Sequence, residues 1–341
     1  MPSVDETTAV RRKPTIRDVA TVAGVSRGTV SRVINGGRWV SPEARTAVEE
    51  AIRSTGYTAN HAARSLATGR SGSIAFLLTE PQHLLFDDPT FALLLRGAAG
   101  AAAQRGTTLV LLVAGTPAER DGIEHYVSAG HVDGVMLISS HESDPLISTL
   151  LAAGIPTVSC GIPLGHEGEA PAVSVDEVGS ARIMTRHLLD RGHRRIAMIA
   201  GPQDTPGGRY RLVGLRDELG DAFDPALVEE GDYSSESGAR AMAALLERAA
   251  DIDAVFAASD LMAAGAISTL RAAGIRVPED VAVAGFDDSG LAANHQPPLT
   301  TMRQPWDRIS EAMVDMLLDI IAGVEREPMT LPTELVVRAS A

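Results

Sequence analysis

The sequence predicts an all-α helix-turn-helix segment at the N-terminus, followed by an α/β module of two doubly wound, parallel-sheet lobes. Three observations lead there. Residues 14–59 hold three short stretches of helical periodicity, separated by glycines and capping residues. From Ser73 onward, apolar runs of strand length alternate with helical stretches. The charge also changes sign along the chain. Residues 1–70 hold eleven Lys/Arg against six Asp/Glu, a net of +5, whereas residues 71–341 hold nineteen against thirty-eight, a net of −19.

The first helix opens at Thr15, with Asp18 placed three residues on to complete a cap. Ile16, Val19, Ala20 and Ala23 then share one face, and Gly24 supplies the left-handed residue that ends the helix. Ser26 caps a second helix, Arg27 to Ile34, with Val30, Val33 and Ile34 inward and polar residues outward. Ser41 and Pro42 start a third, with Ala44, Val48, Ala51 and Thr55 on one face and Gly56 as its stop. Two such short helices around a tight, glycine-containing turn form a helix-turn-helix. Any small helical bundle is the competing reading. The polar outer face of the second helix and the local positive charge favour a reader of double-stranded DNA.

In the remainder, SIAFLL at 73, TTLVLLV at 107, DGVMLIS at 133 and IPTVSC at 155 read as a first series of strands. A second series comprises PAVSV at 171, RRIAMIAG at 194, LVEE at 227, IDAVFAAS at 252 and VAVAGF at 281. Near-continuous apolar runs mark strands covered on both faces, as in parallel sheets. Two series imply two lobes, with ligand bound in the crevice near the carboxyl ends of the strands.

Composition excludes other classes. At 341 residues and 45% hydrophobic, the chain can bury a full-sized core in two or three domains. Its one cysteine, Cys160, makes no intramolecular disulfide and reads as a small buried hydrophobe rather than a nucleophile. There is no G-x-G-x-x-G fingerprint, no phosphate loop ending in Gly-Lys, and no G-x-S-x-G; Lys13 is the only lysine. The nine histidines lack metal spacing, and His141, near a strand end, reads as a cleft or surface residue rather than a base. No enzyme, cofactor or metal is therefore expected. The polar start of the chain lacks a secretory core, and no run approaches the about 18 apolar residues that span a bilayer. The expectation is a soluble cytoplasmic protein with no membrane partner.

The segment TIRDVATVAGVSRGTVSRVING, residues 15–36, resembles the headpiece of the lac repressor/gal repressor (LacI/GalR) family, and YTANHAARSLATGR, residues 57–70, resembles that family's hinge. Further blocks resemble its sensor: LLDRGHRRIAMIAGP at 188, RYRLVGL at 209, ASDLMAAGA at 258, VPEDVAVAGFDD at 277 and PPLTTMRQP at 297. The resemblance covers nearly the whole chain after residue 14. It implies a headpiece over 14–59, a hinge helix and linker over 60–72, and a periplasmic-binding-protein-like effector-binding and dimerisation module over 73–341. Within that module the N-lobe is expected at about 73–173 and 303–332, and the C-lobe at about 174–302 and 333–341. It further implies a homodimer on a pseudo-palindromic operator, since operator symmetry mirrors protein symmetry. No leucine-heptad tail follows TELVVRAS, so a dimer rather than a tetramer is expected.

The second helix should lie in the major groove. Arg27 is the candidate base reader, because a guanidinium matches guanine O6 and N7. Gly28 stands where the family often has a base-reading side chain, and Arg32 reaches bases or phosphate. Thr15, Ser26, Thr29, Ser31 and Asn35 are candidate phosphate contacts; a solvated helix face is the alternative for each. The hinge from Asn60 to Ala67 is too short to be a stable helix alone, so it should form on DNA. By resemblance, Leu66 wedges between base steps in the minor groove, with Arg64 nearby; packing within the lobe is the other reading of Leu66.

For the effector, the resemblance points to Arg211, Asp287 and Tyr233. These supply a hydrogen-bonding fork, an acceptor for sugar hydroxyls and a stacking ring. Ser259 and Asp260 head a helix after a strand, Ser259 reading equally as its N-cap, and Arg209 is a second cleft cation or merely surface. The N-lobe departs from the family pattern. The stretch TEPQHLLFDDPTFALLLRG is longer and more apolar than usual, with Pro89 and Phe91 at the matching positions, so no effector contacts are carried over for 79–91. The expected function is a transcription regulator, in the first instance a repressor, controlled by a sugar. A purine or other metabolite is the alternative effector, and a free solute-binding protein is the alternative class, opposed by the helix-turn-helix. Induction and co-repression stay open.

Overall fold

A computed structural model describes residues 14–34, 39–57, 70–142 and 144–341. The chain divides into two units, Met1–Ser71 and Gly72–Ala341.

In the first unit, α1 (Ile16–Ala23), α2 (Arg27–Ile34) and α3 (Pro42–Thr55) form where the cap residues place them. The Asp18 carboxylate accepts from Thr15 N–H at 2.7 Å and from Thr15 Oγ1 at 2.8 Å. Ser26 Oγ accepts from Thr29 N–H at 3.1 Å, and Ser41 Oγ from Ala44 N–H at 3.3 Å. Gly24 and Gly56 each take φ +66°, the left-handed turn that ends α1 and α3. Val19, Val30 and Val48, one from each helix, are fully buried against one another's helices. Asn35 and the hinge residues Asn60, Arg64 and Leu66 lie outside the described residues.

The second unit holds two six-stranded sheets. In chain order the strands are β1 (Ser73–Leu78), β2 (Thr108–Val113), β3 (Val135–Ile138), β4 (Thr157–Cys160), β5 (Ala172–Val175), β6 (Ile196–Ala200), β7 (Val228–Glu230), β8 (Ala254–Ala257), β9 (Ala282–Asp287), β10 (Thr300–Arg303), β11 (Met329–Leu331) and β12 (Glu334–Val336). The N-lobe sheet runs β11-β5-β4-β3-β1-β2 and is wholly parallel. The C-lobe sheet runs β12-β10-β9-β8-β6-β7, with only β12 antiparallel.

The helices between them are α4 (Leu84–Asp87), α5 (Pro89–Gln104), α6 (Pro117–Ser128), α7 (Pro145–Ala152), α8 (Glu177–Asp190), α9 (Pro206–Leu219), α10 (Ser235–Arg248), α11 (Asp260–Ala272), α12 (Leu291–Asn294) and α13 (Trp306–Ile321). They cover both sheet faces, which is why the strands read as unbroken apolar runs. In β1 the two-residue alternation sends Ile74, Phe76 and Leu78 to a core with α5 and α13. Ala75 and Leu77 go to a second core with α6 and α7. Gly97 lets α5 meet α13, since a Cβ there would come within 2.7 Å of Ser310.

Two expectations need correction. PAVSV does not begin the second lobe: β5 pairs in parallel with β4 and β11, so the N-lobe continues through Val175. Its apolar run looked alike in either sheet, and the boundary at 173/174 cut the strand. Three strands, β10, β11 and β12, lie beyond the two series that the sequence predicts. In β10 the buried Thr300 and Thr301 replace apolar residues, their hydroxyls donating to Ala341 O at 3.1 Å and Asp260 Oδ1 at 2.6 Å. The chain crosses between lobes after β5, after β10 and after β11.

Candidate DNA-reading face and effector site

On α2, Arg27, Gly28 and Arg32 are exposed, while Thr29 and Ser31 are half-buried. A Cβ at Gly28 would meet only Ser26 Oγ, at 3.6 Å, so this turn presents bare backbone outward. The Ser26 and Thr29 hydroxyls lie 2.9 Å apart and are joined to each other, so both serve the helix cap as well as facing outward. Trp39, which the sequence reading passed over, is 91% exposed just before α3. Its rarity, as one of two tryptophans, was the available signal.

In the second unit, a cavity of about 1070 Å³ opens between the lobes. Its walls are the carboxyl ends of strands and the first turns of the helices that follow, as the doubly wound topology requires. Arg211, on α9, is 5% exposed. Its Nε and Nη2 donate to the two Glu177 oxygens at 2.7 and 3.2 Å, and Nη1 donates to Ala258 O at 2.5 Å. The guanidinium stacks 3.6 Å from the centre of the Phe286 ring and stands 3.8 Å from Asp287 Oδ1. A buried cation is tolerable only when paired and bonded in this way.

Asp287 closes β9 at φ +112°, a strained conformation for a non-glycine residue that aims its carboxylate into the cavity wall. Gln304 Nε2 donates to its Oδ1 at 2.9 Å, and Trp306 Nε1 donates to its backbone oxygen at 3.0 Å. Burial pushes the Asp287 carboxyl well above the usual range, Arg211 opposes this, and Asp260 and Asp88 add to it. Tyr233 also takes a positive φ, +67°, and its hydroxyl meets Thr205 Oγ1 at 3.1 Å. Its ring fits because residue 201 is glycine; a Cβ there would lie within 2.4 Å of the ring. Burial lifts the phenol to about 12, so it stays a neutral hydrogen-bonding group. Cys160 also lines the cavity, its thiol pushed up to about 12 by burial and then by Glu177.

The structure thus brings Arg211, Asp287 and Tyr233 together on one cavity. It separates the other three sequence candidates from it. Ser259 Oγ caps α11, accepting from Met262 N–H at 3.2 Å. Asp260 is 1% exposed and turned toward Thr301. Arg209 forks onto Glu142 of the other lobe, at 3.0 and 2.5 Å, and donates to Gln203 O at 2.8 Å. A residue at the head of a helix can point along the cleft or into the core, and sequence position does not separate the two. Glu177, Gln304 and Trp306 line the cavity and were missed. For Trp306 the signal was its rarity, as one of two tryptophans.

A helix-turn-helix module followed in the chain by a two-lobed module, with Arg211, Asp287 and Tyr233 on a cavity at the strand ends, defines a ligand-responsive DNA-binding regulator. Residues 15–60 match the bacterial regulatory proteins of the lacI family, and residues 185–341 match the periplasmic binding protein-like domain. The HTH-type transcriptional regulator CelR of Thermobifida fusca is 46% identical over 336 residues, 97% of this chain and 99% of that protein. The HTH-type transcriptional repressor PurR of Shigella sonnei is 35% identical, covering 93% of each. Among solved structures, the transcriptional regulator CelR–cellobiose complex aligns with TM-score 0.77 and 44% identity over 96% of this chain and 100% of that one. The lac repressor dimer bound to operator and the anti-inducer ONPF aligns with TM-score 0.84 and 28% identity over 96% and 99%. The chain belongs to the lacI family of bacterial regulatory proteins. The family resemblance and the fold class read from the sequence are borne out.

Proposed function

We propose that this chain is a sugar-responsive repressor that binds a pseudo-palindromic operator as a homodimer in the cytoplasm, and that it acts by binding rather than by catalysis. The observation that carries the reading is the set of groups on the cavity wall: Arg211 pinned by Glu177, Asp287 beside it, and the Tyr233 and Trp306 rings. A fixed fork, a carboxyl group and flat apolar faces suit a sugar's hydroxyls and its C–H faces. Cellobiose in the CelR complex supports a disaccharide. No helix among the described residues is long and apolar enough to cross a membrane.

In this mechanism Arg27 reads base edges in the major groove, and the hinge helices form between dimer and DNA with Leu66 in the minor groove. Sugar in the cleft prefers one closure of the lobes. That preference, and nothing more, sets how far operator binding shifts.

The test is selection of operator DNA from a random pool at stated salt, with wild type and Leu66→Ala, followed by titration with cellobiose. The expected result is a palindrome that Leu66→Ala binds far more weakly and that wild type releases with cellobiose but not with hypoxanthine. Release by hypoxanthine alone would move the effector to the purine class. Failure to select any sequence, with or without metabolite extract, overturns the regulator reading.

A further inference from the structure

The cavity also has a wall built from the N-lobe. The chain turns there after β1 through the long apolar insertion, and α4 anchors itself by Leu85, 7% exposed. The next residue, Phe86, lines the cavity yet leaves 84% of its surface open. Across the same lobe, Ser139 and Ser140 follow β3. Ser139 sits at φ +60°, and its hydroxyl is committed to Glu80 Oε1 at 2.5 Å. Ser140 also lines the cavity and is 4% exposed, but its hydroxyl has no hydrogen-bond partner among the described residues. A buried hydroxyl left unbonded is costly, so it is kept where a ligand completes it.

We infer that this N-lobe wall is a second-ring subsite, in which Phe86 stacks on, and Ser140 hydrogen-bonds, the outer ring of an unphosphorylated disaccharide. The inference rests on the sugar reading and extends it to ligand size and charge. Size follows from volume. Ligand cavities run to about 1,000 Å³ for drug-sized molecules, and a single ring beside Arg211 leaves most of this one unfilled. Charge follows from the lining. It carries seven acidic side chains against one arginine and two histidines, His83 and His141; the arginine is already held by Glu177, and His141 by Glu80 and Asp204. A phosphorylated sugar would enter among acidic side chains, with no arginine or lysine in the lining other than the committed Arg211 to receive it.

The test uses the full-length protein and isothermal titration with cellobiose, glucose and a cellobiose phosphate. Phe86→Ala is expected to weaken cellobiose binding about fivefold to tenfold, the scale of one lost aromatic contact. Ser140→Ala should cost about threefold to tenfold, the scale of one neutral hydrogen bond. Neither should move glucose binding by more than about twofold, and the phosphate ester should bind wild type at least about tenfold more weakly than cellobiose. If cellobiose binds wild type and both variants equally, the subsite is wrong while the sugar reading stands. Tight binding of the phosphate ester overturns the charge argument. If neither sugar binds wild type, the subsite and the sugar reading fall together.

Discussion

His141, three residues beyond β3, and Asp204 ahead of α9 meet across the cleft, Nδ1 to Oδ2 at 2.9 Å, and join the two lobes at the cavity mouth. Beside them, Glu142 N–H donates to Asp204 O at 2.8 Å, and Arg209 forks onto the Glu142 carboxylate. The other His141 nitrogen, Nε2, faces Glu80 at 3.1 Å. His141, Glu142, Asp204 and Arg209 thus form a clasp across the cleft, with Glu80 behind His141.

The clasp should tune sugar affinity. His141→Gln is expected to weaken sugar binding about twofold to fivefold, because partly exposed ion pairs contribute at most about 1 kcal/mol. Glu80, then Asp204, hold the imidazole proton and raise its pKa to about 9 against the opposing effect of burial. A folded pKa raised above the ordinary 6.5 gives a contribution that is complete below about pH 6.5. It persists through neutrality and is lost as the pH rises through about 9. Titrations from pH 7 to 9.5 should show wild-type affinity falling over the last two units. A parallel fall in His141→Gln would refute the clasp.

Arg211 should be a sharper determinant. Arg211→Met leaves Glu177 and Asp287 buried without their cation, and breaking a buried pair in this way costs about 3–5 kcal/mol. Arg211→Lys retains the charge but not the planar fork across Glu177 or the stack on Phe286. The lysine variant should therefore fold, lose sugar binding by tenfold or more by loss of a charged hydrogen bond, of about 1.5–3 kcal/mol, and keep its operator affinity. Denaturant midpoints, sugar titration and DNA binding measured on the same samples separate these effects.

How much of this was legible in the sequence differs by residue. Caps such as Thr15–Asp18 and Ser41 act within four residues, so the headpiece could be read directly. The parallel strands announced themselves because both faces are covered. Asp287 and Arg211 came through motif resemblance, but their partners did not. Glu177 lies 34 positions before Arg211 and pairs with it only because α8 and α9 pack side by side. The His141–Asp204 contact spans 63 positions and two lobes. Asp260 and Ser259 show the converse failure: the helix start was right, but which way the side chain turned depended on Thr301 of a strand that polar residues had disguised.

Asp260 gives a stability prediction. Burial first, and the nearby Asp288 charge among the weaker causes, raises its carboxyl from 3.8 to about 7 despite the Thr301 hydrogen bond. A carboxyl whose folded pKa is raised binds its proton more readily in the native state. It therefore stabilises the fold below its unfolded pKa, and that stability is lost as the pH rises through about 7. The sensor's Tm should rise as the pH is lowered from 8 to 6, and Asp260→Asn should flatten that slope. An unchanged slope in the variant would assign the effect to other groups.

The two tryptophans make the headpiece prediction measurable in one molecule. Trp39 is 91% exposed on the first unit, whereas Trp306 is half-buried against the cavity and donates to Asp287 O. In a Trp306→Phe variant the remaining indole reports only on the headpiece, and operator binding should shift its emission while sugar alone should not. In this background Arg27→Ala should weaken operator binding by about 1–3 kcal/mol and relax specificity at one base pair per half-site. Arg32→Ala offers the contrast. If its guanidinium meets phosphate, affinity falls alike on all sequences and the salt slope drops by about one per subunit. Ser26→Ala removes the α2 cap, so it should cost about 1 kcal/mol of headpiece stability before any DNA is added. Equal losses for Arg27→Ala on operator and on random DNA would make Arg27 a phosphate contact and move base reading elsewhere on α2.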